Sequence, residues 1–309
     1  SISLLVPVSM VCVFLFTLWV YRGVANNDLV WDSVYYLVNY EARISEFSWE
    51  NLKWMFTTTD MANWHPLTWV SWALDYQLFG ELSPSGFHWS NVVLHGINSA
   101  VVLLLMLALL SHGKDFVSQQ DAVNKSAALF SASLVALLFA VHPQHVESVA
   151  WVAERKDLLC QLFMLLSLLA YLKFGYAPKP QKVRWFLLSW FCALLAVMSK
   201  PMAVSLPVIM LVIDVYPLNR LGSMPSRRDL VSSCTRLVVE KSPFVALSLL
   251  IVIVTMASQE VAMASIPWPV RLLNAFNSYL AYLSKLVLPL ALSPHYPDRK
   301  STRLNSSHS

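Results

Sequence analysis

The chain has 309 residues, of which 57% are hydrophobic and only 13% are charged. Soluble domains use charged residues at roughly 25%, so the composition excludes an ordinary soluble protein and indicates an all-α polytopic membrane protein. The net charge of +4 is no evidence for nucleic acid, and we expect no such partner, because in a membrane protein the placement of basic residues matters more than their sum.

The four cysteines show neither a disulfide framework nor a metal-type spacing. Three of them lie in apolar runs and one in a basic segment: Cys12, Cys160, Cys192 and Cys234. Twelve Trp and eleven Tyr are typical of the aromatic belts at the two membrane interfaces.

Seven apolar runs are predicted to cross the membrane, and they cover residues 3–21, 91–111, 126–141, 158–172, 185–197, 203–215 and 243–258. A signal peptide is the alternative for the first run, but no basic segment precedes it and no cleavage site is clear. The segment 266–296 carries polar residues at helical spacing, and we interpret it as an amphipathic helix on the outer face. A full crossing there is the alternative, so about seven or eight membrane helices are expected.

The basic residues predict which side of the membrane each loop faces. Segment 173–184 carries four Lys or Arg and no acid, and segment 220–241 carries five Lys or Arg. Both are cytoplasmic by the positive-inside rule. Counting crossings places 112–125 inside, and it places the loop 22–90, the loop 142–157, Lys200 and the later loop 259–297 together on the outer side.

The first outer loop, 22–90, has eight acids and only three Lys or Arg, and it is rich in aromatic residues. A loop this long is usually folded. We therefore expect a structured domain, with the nearly apolar part 64–79 lying along the membrane surface or against the helices.

The stretch 142–159 is highly polar, although it lies between two apolar runs. Pro143 suits the first turn of a helix. Glu147, Trp151 and Glu154 then follow at i, i+4 and i+7 and share one face, while the free N–H groups near Pro143 favour an anion. The alternative is a charged loop between two membrane helices.

Candidate catalytic residues are the outer acids. Asp32 follows the first span closely enough to act as a general base near the outer leaflet, or it is a solvated loop acid. Glu147 and Glu154 are the second candidates, and their alternative is an ion pair with Arg155 or Lys156.

Candidate phosphate-binding residues are the outer cations Arg155, Lys156 and Lys200, whose alternative is interfacial snorkelling. His142 and His145 are added to this predicted donor site. With Glu147 they do not form the His-Glu-x-x-His pattern of zinc proteases, so no metal is predicted.

Several long motifs resemble one protein family. They are Asn63–Trp69 (NWHPLTW), Gly86–Asn91 (GFHWSN) with Leu94-His95, the stretch 142–159, Ser199–Met202 (SKPM) and Asp214–Leu218 (DVYPL). In this order they are similar to the membrane half of bacterial relatives of the transmembrane and tetratricopeptide-repeat-containing O-mannosyltransferases. The resemblance runs from about Val24 to Pro297.

The resemblance implies a GT-C-like helical bundle that transfers a sugar, a hexose such as mannose, from a polyprenyl-phosphate carrier to an acceptor hydroxyl on a protein Ser or Thr. It implies a bacterial inner membrane with a periplasmic active face, and no required cofactor. It also implies that Trp64, His65 and His88 contact the acceptor or pack the loop.

The chain differs from this family in its acidic motif and in showing no tetratricopeptide repeats after the membrane part. Relatives carry an aromatic residue followed by Asp-Asp, where this chain has Trp31-Asp32-Ser33, so a catalytically inactive anchor or scaffold for a repeat domain is the alternative function. Residues 1–300 are expected to form one membrane domain that is truncated before the repeats. The polar tail 301–309 is interpreted as non-native sequence.

Overall fold

The computed structural model describes residues 2–111, 122–221, 227–259, 267–290 and 292. All regular structure in these ranges is helical, which confirms the all-α class. The α-helices, besides short 3-10 turns, are α1 (Ile2–Tyr21), α2 (Asp32–Val38), α3 (Glu41–Ile44), α4 (Trp49–Thr57), α5 (Pro66–Phe79), α6 (Pro84–Ser111), α7 (Ala122–Val141), α8 (Val146–Ala150), α9 (Arg155–Tyr176), α10 (Lys179–Ser199), α11 (Leu206–Val215), α12 (Arg227–Ser258) and α13 (Trp268–Val287).

Five helical segments within the described ranges are long and apolar enough to cross a membrane: Leu4–Asn26, Pro84–Ser111, Val152–Tyr176, Lys179–Ser199 and Val231–Ser258. A sixth is present if α7 and the helix that follows it, which are bent by 50° at residue 142, form one broken span. The predicted run 203–215 is helical but belongs to a shorter apolar helix. The polytopic architecture is confirmed, while a total of seven or eight crossings stays a prediction.

The bundle is centred on α6, α9 and α10, with α1 and α7 packed against α6. The α9–α10 pair is joined by a hydrogen-bonded serine pair, in which Ser167 Oγ donates to the Ser189 carbonyl at 2.8 Å and Ser189 Oγ donates to the Ser167 carbonyl at 2.9 Å. Both serines are fully buried. Such polar pairs between small residues hold membrane helices together where lipid offers no hydrophobic driving force.

The predicted first outer loop is a folded helical region built from α2 to α5. Its core is aromatic: the rings of Tyr36, Trp69 and Trp72 pack on one another and Trp54 packs on Trp69, with ring centroids 4.8–5.4 Å apart. The loop ends earlier than the predicted residue 90, because α6 already begins at Pro84. Ser83 Oγ accepts the Gly86 N–H at 3.3 Å, and proline suits the first helical position.

A buried ion-pair network lies at the C-terminal end of α9. Arg220 binds both carboxylate oxygens of Glu240 at 2.6 Å and Asp214 at 3.0 Å. Lys241 pairs with Asp214, and the Tyr171 hydroxyl donates to Asp214 at 2.7 Å. This network marks what we call the Arg220 end of the bundle.

Some predicted features lie outside the described residues: most of the loop 112–125, Glu260, the parts of the later loop before residue 267 and beyond residue 292, and the tail 301–309. Within the described part of the later loop, α13 is a helix whose apolar and polar residues are segregated, as predicted for 266–296. It is not among the helices apolar enough to cross a membrane.

Candidate functional site

Four ionised side chains form a cluster where α9 begins, which we call the Lys200 end of the bundle. Glu154 binds Lys156 through one carboxylate oxygen at 3.0 Å and Lys200 through the other at 3.0 Å. Lys200 also pairs with Asp157, which accepts a hydrogen bond from Ser148 Oγ at 3.2 Å. Glu154 therefore holds two ammonium groups side by side.

The two lysines keep donors to spare. An ammonium group has three N–H donors, and the bonds recorded among the described residues use one on Lys156 and two on Lys200. Burial disfavours the Lys200 charge, but Asp157 and Glu154 outweigh burial and raise the pKa of Lys200 above its ordinary value. Lys200 therefore stays cationic at neutral pH and suits an anionic oxygen.

Arg155 is placed differently from its predicted role in phosphate binding. Its side chain is 1% exposed, and its guanidinium pairs with Asp75, donates to Asn91 Oδ1 at 2.7 Å and donates to the Phe87 carbonyl at 2.7 Å. These partners occupy its donors inside the protein. In this arrangement Arg155 connects α9 with α5 and α6 and does not face a ligand.

Asp32 opens α2 and is half-buried. Trp31 before it has φ 52° and ψ −129°, and a bulky residue at positive φ is an outlier that costs on the order of 1–3 kcal/mol. The Trp31 ring packs edge-to-face on Trp151 at 5.3 Å. Strain of this kind collects at functional sites, and here it sets the position of the predicted base.

The Tyr36 side chain lies within electrostatic range of both Asp32 and Glu154. It is 1% exposed, and burial, followed by the charges of Asp32 and Glu154, raises the pKa of its hydroxyl well above the ordinary value. The charge of Asp60 acts on this pKa in the same direction. Three carboxylates, Asp32, Asp60 and Glu154, therefore lie within electrostatic range of one neutral hydroxyl.

His65 lies next to this group. It is 2% exposed, and neither ring nitrogen has a hydrogen-bond partner among the described residues. Its ring packs on Tyr36 at 5.5 Å and on Trp69 at 5.6 Å. Burial, and then the charge of Lys156, lower the pKa of His65 to about 4, so the imidazole is neutral at pH 7.

Two further predicted site residues, His145 and Glu147, line a cavity of about 610 Å³. His145, Glu147, Trp31, Trp151 and Lys285 are among its lining residues. Glu147 is also within electrostatic range of Glu154 and Lys200. The cavity thus joins the predicted acid Glu147 to the aromatic pair beside Asp32.

Three predicted residues make packing or capping contacts. His142 accepts the Gln144 N–H at 3.3 Å, and its other ring nitrogen is 3.0 Å from the Leu286 carbonyl oxygen. Trp64 donates to the Phe56 carbonyl at 2.9 Å, and a ring nitrogen of His88 lies 3.5 Å from the Asp28 carbonyl oxygen. The latter two contacts agree with loop packing. No group of three potential metal ligands occurs within the described ranges.

The sequence interpretation missed the partners that organise the site: Ser33, Tyr36, Asp75, Asn91 and Asp157. Ser33 follows Asp32, and its buried hydroxyl accepts the Ala153 N–H at 3.0 Å. This bond joins the start of α2 to the turn before α9. Of these five residues, Asp157 adjoins the charged run 154–156 and could have been noticed. The other four have no local sequence feature that distinguishes them from ordinary loop or helix positions.

Curated relatives match the chain over about half to two thirds of its length. The first, "Protein O-mannosyl-transferase TMTC4" of Mus musculus, is 31% identical over 219 residues, which is 67% of this chain and 29% of the relative. The Homo sapiens protein of the same name is 31% identical over 63% of this chain and 27% of its own length. "Protein O-mannosyl-transferase TMTC2" of Mus musculus is 31% identical over 52% of this chain and 17% of the relative.

The chain spans less than a third of the length of these relatives. No family model and no solved structure matches it. The resemblance inferred from the motifs is nevertheless confirmed, because several independent relatives carry the same family name. The chain is a polytopic membrane protein related to the TMTC protein O-mannosyl-transferases.

Proposed function

We propose that this protein is a GT-C-type glycosyltransferase. It moves a hexose, mannose by analogy with the relatives' names, from a polyprenyl-phosphate carrier to a hydroxyl on a protein Ser or Thr. The reaction takes place at the Lys200 end of the bundle, which we place on the periplasmic side of a bacterial inner membrane.

One observation carries this proposal. The Lys156–Glu154–Lys200 arrangement, with donors to spare, adjoins the start of α2, because Ser33 next to Asp32 accepts the N–H of Ala153 next to Glu154. Sugar transfer from a lipid phosphate needs both groups, since cations stabilise the departing phosphate and a carboxylate takes the proton of the acceptor.

In the proposed reaction the acceptor oxygen bonds to the anomeric carbon as the bond from that carbon to the phosphate oxygen breaks. Asp32 takes the acceptor proton, and the electron pair of the broken bond stays on the polyprenyl phosphate. Lys156 and Lys200 donate to that phosphate. The sugar carbon passes through an oxocarbenium-like state, which neighbouring carboxylates stabilise in other sugar-cleaving enzymes, and its configuration is inverted.

The remaining predicted residues take supporting roles. Glu154 positions the two lysines, and Glu147 faces the sugar from the cavity wall. His145 lines the same cavity, while His142 caps the turn at its edge. Arg155 positions the first turn of α9 instead of binding phosphate, because Asp75 and Asn91 occupy it.

An inactive anchor or scaffold is the second candidate function. Ser33 favours it, because the paired carboxylate of the relatives is reduced to Asp32 alone. Two observations argue against the scaffold. Ser33 has a structural role of its own, because its hydroxyl accepts the Ala153 N–H. Asp60 provides a second acid, since it lies within electrostatic range of the same Tyr36 as Asp32.

Asp32→Asn tests the proposed base. In membranes supplied with polyprenyl-phosphate mannose and an acceptor peptide, we expect this variant to transfer mannose at least about 100-fold more slowly, the lower range for a general base. Asp28→Asn is the control, since Asp28 is an exposed acid of the same loop. Equal rates for Asp32→Asn and the parent would exclude Asp32, and an inactive parent chain would favour the scaffold.

A further inference from the structure

A groove of about 560 Å³ runs along the seam between α1 and α7. Its lining residues are Val8, Ser9, Cys12, Val13, Phe16, Ser133, Leu134, Leu137, Leu138 and Val141. The two helices touch deeper in the seam, where Val13 packs with Ala132 and Ala136. Small side chains on both helices, Ser9, Cys12 and Ser133, leave the space open beside that contact.

The chemistry of the lining selects a hydrocarbon ligand. Among the described residues, no carboxylate and no basic side chain lines the groove, and its polar side-chain atoms are two serine hydroxyls and one thiol. Both helices belong to apolar segments able to lie within a membrane. A sugar, an ion or a phosphate would lose its hydration there without gaining partners, whereas an alkyl or isoprenoid chain loses nothing.

The lining residues of the groove come close in the chain to those of the cavity of the candidate site. Val141 lines the groove, and Pro143, two residues later, lines the cavity. Two residues span at most about 7 Å. On the other helix, the chain runs from Phe16 through the end of α1 to Asn27 and Trp31, which also line the cavity. One ligand can therefore occupy both spaces if it has an apolar chain and a polar head.

We propose that the α1–α7 groove binds the isoprenoid chain of the lipid carrier and so directs its phosphate and sugar into the cavity beside Glu147. This proposal rests on the proposed function for the identity of the ligand. A single groove between one pair of helices accommodates one chain, which matches a polyprenyl phosphate better than a phospholipid with two chains. Residues 133–141 extend about 12 Å along α7, so the groove holds the first part of a long chain.

Photocrosslinking on the unaltered chain in lipid nanodiscs tests where the carrier binds. The probe is a polyprenyl phosphate that carries a diazirine in the first part of its isoprenoid chain, and mass spectrometry locates the insertions. We expect them to concentrate on residues 8–16 and 133–141, and to be competed by excess polyprenyl phosphate but not by phosphatidylglycerol. Insertions spread over all lipid-facing helices, or equal competition by phosphatidylglycerol, would overturn the proposal.

A matched pair of variants tests the groove by affinity. Ser9→Trp fills the groove, while Val11→Trp places the same indole on a face of α1 that is 55% exposed to lipid. We expect Ser9→Trp to weaken binding of polyprenyl phosphate at least about tenfold, a free-energy change of about 1.4 kcal/mol, and Val11→Trp to leave it unchanged. Neither variant should affect binding of isopentenyl phosphate, which has the head group without the long chain.

These measurements separate the two proposals, because they measure binding and not transfer. Polyprenyl phosphate crosslinked in the groove of a chain that transfers no sugar would support the groove and contradict the enzymatic function. Sugar transfer with crosslinks elsewhere, or equal affinities for Ser9→Trp and Val11→Trp, would contradict the groove and leave the enzymatic function standing.

Discussion

At the scale of single residues, His65 shows how burial changes the meaning of a motif. In the sequence it is a histidine in an aromatic stretch, expected to contact the acceptor or to pack the loop. In the fold it is enclosed by Tyr36, Trp69 and Trp72, with both ring nitrogens unpartnered within the described structure. A buried imidazole without hydrogen-bond partners lowers the folding stability. Unfavourable features of this kind are commonly found at functional sites.

His65 predicts an acid-sensitive stability. Its folded pKa is about 4 against an ordinary 6.5, so between these pH values the unfolded chain binds more protons than the folded one. Stability is therefore complete above pH 6.5 and falls as the pH drops towards 4, by up to about 3 kcal/mol. Thermal unfolding of the purified protein in detergent measures this fall.

His65→Phe is the variant that isolates this contribution, since it fills a similar volume without a titrating group. We expect its unfolding temperature to fall distinctly less than that of the parent between pH 6.5 and pH 4. An identical acid dependence in the two proteins would show that His65 is not the group responsible.

At the scale of elements, helix geometry places the neighbouring charged residues at the start of α9 in different surroundings. Arg155 points into the protein towards Asp75 on α5, whereas Glu154, Lys156 and Asp157 take part in the cluster with Lys200. Successive residues of a helix lie about 100° apart, so adjacent cations necessarily face different surroundings. Of the three cations predicted to bind phosphate, Arg155 is thus buried in a contact between helices, whereas Lys156 and Lys200 lie in the cluster.

The Arg155–Asp75 pair predicts a large loss of stability when one partner is removed. Asp75→Asn leaves a buried guanidinium without its counter-charge and should cost about 3–5 kcal/mol. The double variant Asp75→Leu with Arg155→Met should cost less than the sum of the two single changes, because no charge stays unpaired. Denaturation of the detergent-solubilised variants provides the comparison.

Glu50→Gln is the control for this experiment. Its partner Arg43 lies at 2.9 Å, but the two side chains are 36% and 81% exposed for Arg43 and Glu50 respectively. A surface pair of this kind contributes about 0–1 kcal/mol. A similar loss in Asp75→Asn and Glu50→Gln would contradict the structural role assigned to Arg155.

At the scale of the whole molecule, two polar clusters occupy opposite ends of one helix. From Asp157 in the Lys200 cluster to Tyr171 in the Arg220 network, α9 rises about 21 Å, somewhat less than the roughly 30 Å of a bilayer hydrocarbon core. The Arg220 network adjoins the segments whose Lys and Arg predict a cytoplasmic location. This separation supports a periplasmic location for the candidate site.

The native thiol Cys234 allows the sidedness to be measured. It is exposed and lies in the first turn of the 28-residue segment Val231–Ser258, which at about 42 Å is longer than the roughly 30 Å of a bilayer hydrocarbon core. Since the sequence predicts that the part before residue 243 is cytoplasmic, an impermeant maleimide should label Cys234 in right-side-out vesicles only after permeabilisation. A cysteine introduced by Glu81→Cys, at an exposed position of the first loop, should react without permeabilisation. The Cys234→Ser variant provides the background, and labelling of Cys234 in sealed vesicles would reverse the topology.

The membrane class, the helical segments and the family could be predicted from the sequence, because apolar length, loop charge and contiguous motifs are local properties of the chain. The sequence also indicated the region of the site, since Asp32, Glu154, Lys156 and Lys200 have the right chemistry and were predicted to face one side. The boundary of α6 was missed by seven residues, because the cap at Ser83 resembles ordinary loop sequence.

Only the tertiary structure decided which of these residues act together. Lys200 meets Glu154 and Asp157 through a contact between α9 and the α10–α11 turn, and Arg155 is withdrawn by an acid 80 residues earlier in the chain. Ser33 becomes the partner of Ala153 across 120 residues. Burial and counter-charge, which determine whether a cation binds a ligand or the protein itself, depend on these long-range contacts and have no signature in local sequence.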